Sequence, residues 1–566
     1  MICAVGVGAR FDYLQQNMYD EIELRCDFMN IEHENHRENC MGKDHNFPED
    51  KFEKMEIPKE IEDVLTVFQK NGVEAHLVGG CVRDYLLGKK PADWDIATSA
   101  TPEEIQKLFP RNFYANEFGT VTVLTDSEDL TLKQIEITPY RAETTYSDQR
   151  HPDEVKFGVS LEEDLARRDF TINAIAMGFD ESGQQVIVDP FDGRADLNKK
   201  LIRAVGVPEE RFGEDTSRLI RAARFKVQLG FSAQGGPQPQ ADEPWAQASG
   251  WEIEEKTEQA LLKLAHTIDI SKGAVRKEFL KMINDKNATQ AMEALREYGL
   301  MKYIIPELLE GVGVEQNGHH AFTVWEHNLR SLDYAASQGY SEEVCLAALF
   351  HDIGKPKTKR FSAETKDWTF YGHNTIGERM AINILRRLKF PSQSIDKVAK
   401  LIYYHMFVYN SNPELGDVTT DKAIRRLING VGVENIWDLI NLRLADRAGS
   451  GVKKIEKFDN RHIKFRIENL LRDPISLKQL AINGEDVMET LKIKPGPKVG
   501  WLLNALFQEV LDDPKKNDKE YLKDRLVELN NLSDEKLKDL ASAAKQEVGL
   551  LEEQSEERLK GKYFVR

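Results

Sequence analysis

The sequence predicts an α/β head followed by an all-α remainder: a helical neck and body, a second helical domain and a helical tail. Three observations predict this. From Ile61 to Gly193, strand-like and helix-like apolar patterns alternate, as in an α/β unit. After Glu209 the segments carry helical spacing, and from His319 to about Asp446 a separate helical block is dense in histidine. At 566 residues the chain has room for three to five domains, on a prior of about 150 residues each.

The expected divisions are a polar extension over 1–55, the head over 56–198, the neck and body over 199–310, the histidine-rich domain over 311–470 and the tail over 471–566. In the extension, Cys26, His33, His36, Cys40 and His45 fit no zinc spacing, so it reads as a flexible segment with incidental ligands. Residues 232–250, with Gly235-Gly236-Pro237-Gln238-Pro239, read as an exposed loop inserted in the neck.

No apolar run is long enough to cross a bilayer. The apolar start Met1-Ile2-Cys3-Ala4-Val5-Gly6-Val7-Gly8 is short and lacks a basic flank, so it is not read as a signal peptide. Five scattered cysteines argue against a disulfide framework and for a reducing cytoplasm. A net charge of −18 runs against a nucleic-acid partner, whose phosphates need Lys and Arg, but a local basic stripe suffices on an acidic molecule. Any such binding is expected on one face and sensitive to salt.

The head opens with Leu77-Val78-Gly79-Gly80-Cys81-Val82-Arg83-Asp84, then Asp93-Trp94-Asp95. A strand ends in a Gly-Gly turn, a helix follows, and a second strand presents two carboxylates two residues apart. Strand side chains alternate, so Asp93 and Asp95 face one way while Trp94 and Ile96 enter the core. Paired carboxylates hold hard divalent cations, and glycines let backbone approach a triphosphate. The set reads as a nucleotidyl-transfer site using Mg²⁺. Gly79, Gly80 and Arg83 are expected beside the triphosphate, with Asp84 tying down Arg83 or capping the helix. In Gln134-Ile135-Glu136-Ile137-Thr138 the isoleucines face the core, leaving Glu136 as a third acid near the metals or an exposed strand residue.

Asp215, Arg218 and Arg221 fall three apart and are expected on one helix face. Cytosine and adenine both present an amine donor beside a ring-nitrogen acceptor. A carboxylate accepting from the amine and a guanidinium donating to the ring nitrogen take both and mismatch guanine and uracil. A surface ion pair is the commoner meaning of such spacing.

Further segments are Arg167-Arg168-Asp169-Phe170-Thr171-Ile172-Asn173, Val188-Asp189-Pro190-Phe191-Asp192-Gly193 and Arg211-Phe212-Gly213-Glu214-Asp215. With those above, they resemble the bacterial-type (class II) CCA-adding tRNA nucleotidyltransferases and poly(A) polymerases, in the polymerase β superfamily. The match runs from about Ile61 to Ile283 and resumes near the C-terminus. The resemblance implies a polymerase-β-like nucleotidyltransferase head and base recognition by Asp215 and Arg218. It also implies nucleotide sugar and phosphate contacts from Arg168, Asp169 and Asn173. Tyr140 to Pro152 fits the loop of relatives that add the terminal A. Gly273-Ala274 departs from the family's usual Glu-Arg, whereas Glu278 and Lys281 match. Ala481 to Asp486 and Ile493 to Gly500 match the family's tail, whose turn would seat an RNA phosphate beside Lys494 and Lys498. The partners implied are CTP, ATP and the acceptor end and elbow of tRNA.

The histidine-rich block contains His327, His351-Asp352, His373, His405 and Asp446, with His319 the weakest candidate. It looks like an HD-family phosphohydrolase domain. Carried over, the metal ligands are His327, His351, Asp352 and Asp446, with His373 and His405 taking substrate phosphate or a second ion. Mixed imidazole and carboxylate donors suit Mn, Fe, Co, Ni or Mg. Taken together, the expectation is template-independent addition of C, C and A to tRNA 3′ ends, with pyrophosphate released and an added phosphohydrolase activity. The rivals are a poly(A) polymerase, an A-adding enzyme of a split system, an HD-type phosphodiesterase or phosphatase acting on RNA ends, and a non-catalytic RNA binder.

Overall fold

The head is built on a seven-stranded mixed sheet in the computed structural model. Its strands are β1 (Ala75–Val78), β2 (Asp95–Thr98), β3 (Asn112–Tyr114), β4 (Val121–Leu124), β5 (Gln134–Pro139), β8 (Ala176–Phe179) and β9 (Gln185–Val188). Their order is β3-β4-β5-β2-β1-β8-β9, antiparallel throughout except for the parallel pair β2 and β5. In that pair Asp95 stands beside Glu136. Leu77, Ile96, Ile135 and Ile137 fill the core on one face, so the alternate positions Asp95 and Glu136 turn to the other. A short hairpin, β6 (Arg141–Glu143) with β7 (Val155–Phe157), flanks the sheet.

The structure describes residues 55–565 apart from 92, 115–118, 144–154, 181, 232–249, 272, 318–320, 416–417, 453–454, 472–476 and 478–479. The cysteine and histidine positions of the extension, most of the loop up to Pro152, the 232–249 insertion and His319 lie outside the described residues. All elements named here belong to one unit, Ile57–Arg566.

Beyond the head the chain is mainly helical, with two corrections to an all-α reading. β10 (Leu201–Ile202) pairs in parallel with β11 (Glu252–Ile253), so a strand lies within the neck. β12 (Arg360–Ser362) and β13 (Asp367–Thr369) form a hairpin inside the histidine-rich block. Phe361 and Trp368 stand directly opposite there, a cross-strand aromatic pair of the kind that stabilises short hairpins.

In this block the helix Val324–Ser337 begins with a reciprocal cap, in which Thr323 and Glu326 each accept the other's backbone N–H. Beside it run the helix Glu342–Phe350, apolar and buried from Val344 onward, and the helix Ile436–Gly449. The first and last approach so closely that a Cβ on Gly449 would lie 2.1 Å from Ser331 Oγ and 2.7 Å from the His327 carbonyl. Gly449→Ala should therefore cost about 1–3 kcal/mol through overpacking. At Gly500, also helical, nothing lies within 4 Å of the added Cβ, so Gly500→Ala should be neutral or stabilising by about 0.5–1 kcal/mol. Urea midpoints of the two variants check this, and equal midpoints would contradict the close approach. The tail packs Leu502, Leu506, Leu522, Leu526 and Leu537 into its own core. No helix of the described residues is long and apolar enough to cross a membrane.

Candidate functional site

Nine head positions singled out in the sequence and three from the neck line one cleft of about 790 Å³: Gly79, Gly80, Arg83, Asp93, Asp95, Glu136, Arg168, Asp169 and Asn173, with Asp215, Arg218 and Arg221. β1 ends at Gly79, whose φ of 76° suits glycine and where a Cβ would press within 3.0 Å of Arg168 Nη1. Asp93 is exposed and Asp95 opens partly to the cleft, while Trp94 and Ile96 are buried. Burial raises the Asp95 carboxyl to about 6, with Glu136 and then Asp93 adding repulsion that Arg168 only partly relieves. Three acids thus share one polar cleft, and two of them repel the charge of Asp95.

A chain of contacts then crosses the cleft. Asp84 accepts from Arg83 Nε at 2.8 Å, and Arg83 Nη1 donates to Asn173 Oδ1 at 2.7 Å. Asn173 Nδ2 donates to Asp169 Oδ1 at 3.1 Å, and Arg221 Nη2 lies 2.9 Å from Asp169 Oδ2. Asn173 ends a short 3-10 turn, Thr171–Asn173, which brings it back to Asp169 four residues earlier. Arg83, Arg221 and Arg224 gather round the Phe225 ring, 5.2, 5.8 and 4.2 Å from its centroid.

Burial alone would raise the Asp169 carboxyl, but Arg221, the Asn173 amide and Arg218 together hold it below the usual carboxylate range. A depressed carboxylate stabilises the fold above its unfolded pKa, near 4, and that contribution is lost as pH falls through the folded value. Stability should thus fall below about pH 4 more steeply in this chain than in Asp169→Asn. Urea midpoints from pH 7 to pH 3 test this, and parallel curves would remove the pair from the account.

One expected geometry is corrected. Asp215 does not share a helix face with Arg218 and Arg221, because the helix is Ser217–Phe231 and Asp215 precedes it in extended backbone. Its own carboxylate ends the helix upstream by accepting from Ser217 N–H at 2.9 Å. Arg218 pairs instead with Glu214 Oε2 at 2.7 Å, and donates to the carbonyls of Arg211 at 2.9 Å and Arg167 at 3.0 Å. Both Asp215 and Arg218 still face the cleft.

Two acids escaped the sequence reading. Glu214 fixes Arg218, and buried Asp164 holds both Arg167, at 2.8 Å, and Arg168, at 3.1 Å. Spacings of three and four residues to those arginines were the available signal. Glu278, which followed the family pattern, holds Arg224 at 2.5 Å.

The histidine-rich block brings six donors into one cluster, five of them buried and Asp446 half-buried. His351, His373 and His405 each direct Nδ1 at a backbone carbonyl, of Ala348 at 2.9 Å, Phe370 at 2.7 Å and Ile402 at 2.6 Å. A carbonyl only accepts, so each Nδ1 carries the proton and each Nε2 presents a lone pair. Those nitrogens crowd together, His327 Nε2 with His351 Nε2 at 3.0 Å and His373 Nε2 with His405 Nε2 at 3.3 Å. Asp352 reaches both pairs, Oδ2 lying 3.3 Å from His327 and Oδ1 3.3 Å from His373, and Asp446 Oδ1 lies 3.3 Å from His327. Burial would discharge His327, yet Asp352 and Asp446 hold its proton up to about 9, whereas burial and His351 drive His405 down to about 4. The donors form two candidate metal sites, His327 with His351 and Asp446, and Asp352 with His373 and His405. Lys355 Nζ sits 2.5 Å from Asp352.

In the tail, Gly496 precedes the helix Pro497–Asp512. Lys494 is exposed, and Lys498 Nζ lies 3.3 Å from Asp534 Oδ1. The tail lysines stand apart from the cleft lining.

Three families match the chain: the poly(A) polymerase head domain over residues 75–203, the probable RNA and SrmB binding site of polymerase A over 250–311, and tRNA nucleotidyltransferase domain 2 over 359–526. A CCA-adding enzyme of Ligilactobacillus salivarius is 32% identical over 82% of this chain and 96% of its own length. An A-adding tRNA nucleotidyltransferase of Deinococcus radiodurans is 30% identical over 77% of this chain and 91% of its own. The crystal structure of the Bacillus stearothermophilus CCA-adding enzyme in complex with CTP is 28% identical, covers 83% of this chain and 97% of that one, and aligns with a TM-score of 0.49. Identity at this level, sustained along nearly the whole of the Ligilactobacillus enzyme, settles the kinship: the chain belongs to the CCA-adding tRNA nucleotidyltransferase and poly(A) polymerase family.

Proposed function

We propose that this chain adds C, C and A to the 3′ end of tRNA without a nucleic-acid template, using CTP and ATP and releasing pyrophosphate. The observation that carries the reading is the meeting of Asp93, Asp95 and Glu136 with Asp215 and Arg218 across one cleft. Mg²⁺ held by Asp93 and Asp95 would stabilise the attacking and leaving oxygens of the transfer. Glu136 orients the 3′ hydroxyl toward the α-phosphate. Arg83 and Arg168, braced by Asp84 and Asp164, hold the triphosphate, while Asn173, Asp169 and Arg221 shape the pocket around the sugar. Asp215 accepts from the exocyclic amine of C or A, and Arg218, fixed by Glu214, donates to the ring nitrogen. Lys494 and Lys498, at the turn before the helix Pro497–Asp512, take phosphates of the tRNA.

The test is a single-nucleotide gel with tRNA transcripts ending before CCA, after C and after CC, each given CTP, ATP or both. Growth by three nucleotides that then stops is expected. Long A tails would favour poly(A) polymerisation, and A added only to the CC transcript would mean a split system.

A second activity is supported by the buried cluster of four histidines and two aspartates. Its lone pairs converge as a metal site requires, and a bound divalent ion would acidify water for attack on a phosphate ester. We read it as an HD-type phosphohydrolase acting on RNA ends. Phosphate release that depends on added Mn²⁺, Ni²⁺, Co²⁺ or Mg²⁺ and is lost in His351→Ala tests it.

A further inference from the structure

We propose that the rim of the histidine cluster is a base-stacking platform that seats the 3′-terminal nucleotide of a single-stranded RNA, its phosphate toward the cluster. This rests on reading the cluster as a metal-dependent phosphoester site. The rim is apolar where it meets water. Tyr371, two residues before His373, is 87% exposed, while its neighbour Phe370 is buried beneath Lys355. Met406, directly after the buried His405, is 56% exposed. These segments lie side by side, because Asn374 Nδ2 donates to the Tyr403 carbonyl at 2.9 Å and the rings of His373 and His405 meet. Large apolar side chains left open around a polar cluster mark a binding surface rather than packing.

The hairpin β12 and β13 extends the platform. It runs from the helix Lys355–Thr358, whose Lys355 reaches Asp352, back to the helix starting at His373, so its root lies at the cluster. Phe361, 60% exposed, packs edge-on against Trp368 at 5.5 Å, and Lys359 Nζ stands 4.4 Å from the Trp368 ring centre. With Lys355 buried on Asp352, the run Lys355-Pro356-Lys357-Thr358-Lys359-Arg360 still leaves three cations toward solvent, Lys357 (3.4 Å from Glu310 Oε1), Lys359 and Arg360, in a chain whose net charge is −18. Metal donors for a phosphate, flat exposed rings for a base and a basic strip for the preceding phosphates are the three parts single-stranded nucleic acid needs. Stacking uses a π-face that every base carries, so the platform should tolerate any base.

The probe is a trinucleotide ending in 2-aminopurine ribose 3′-phosphate, with a partner whose last ribose lacks a base, both titrated into the full chain with Mn²⁺. The 2-aminopurine fluorescence should be quenched on binding. Tyr371→Ala should raise Kd about tenfold, Tyr371→Phe should restore it, and the abasic probe should bind about as weakly to all three. Tyr371 is exposed, so its removal does not threaten the fold. Absence of quenching, a Kd within about twofold of the parent chain in Tyr371→Ala, or equal binding of the abasic probe would overturn the platform. Quenching that depends on Tyr371 without phosphate release would support the platform while overturning the hydrolase reading.

Discussion

Asp95→Asn should slow nucleotide addition by about 10³-fold or more while leaving the fold as stable as before or more so. The loss follows from removing a carboxylate from the one acidic wall of the cleft, where it stands in register with Glu136. The gain follows from burial and from Glu136, which raise the Asp95 carboxyl to about 6. The folded state therefore prefers Asp95 protonated. Its charge opposes folding above an unfolded pKa near 4, fully so once pH exceeds about 6. Without divalent ions, the variant should match the parent chain in urea near pH 4 and exceed it at pH 7.5. Single-turnover addition to a CC-ended transcript gives the other half. Retained activity, or a stability loss at both pH values, would remove Asp95 from the chemistry.

The second large effect is expected at Asp352. Its carboxylate lies 2.5 Å from Lys355 Nζ and faces four histidines, with both groups buried. Asp352→Ala would leave the buried Lys355 ammonium without its counter-ion, with the Gln316 amide oxygen at 2.5 Å still accepting from it, a break that costs about 3–5 kcal/mol for buried pairs. It should also empty both metal groups, because Asp352 Oδ2 lies 3.3 Å from His327 and 3.4 Å from His351 besides its place with His373 and His405. Asp446→Asn touches only the group formed with His327 and His351, so it should lower metal content while leaving the other group occupied. Metal analysis after Mn²⁺ loading and gel filtration separates the two. Equal metal content in both variants would contradict a shared Asp352.

The acids of the head were legible because strand alternation leaves no choice. With Ile96, Ile135 and Ile137 buried, Asp95 and Glu136 have only the other face, while Asp93 lies in the bend before β2 rather than in the strand the sequence suggested. Spacing misled at Asp215, where counting in threes assumed a helix already begun. Its side chain caps the backbone that counting would have made helical. The hairpin at Arg360–Thr369 escaped because two three-residue strands carry too short an alternation to stand out between helices. Asp164 and Glu214 escaped for another reason. A carboxylate that orients an arginine looks, in sequence, like any surface ion pair, and only burial at Asp164 reveals the difference.

The parallel pairing of β2 with β5 inside an otherwise antiparallel seven-stranded sheet also bears on how the chain folds. β5 inserts between β4 and β2, both made earlier, so the acids align only after a non-local strand has found its place. A slip of one residue would expose Ile135 and Ile137 and bury Glu136, forfeiting about 1.5–3 kcal/mol for each isoleucine. Catalytic alignment is thus policed by ordinary hydrophobic burial, and a mis-registered chain is at once unstable and inactive. In a refolding experiment, recovery of nucleotide addition should follow closure of this sheet rather than formation of the helices.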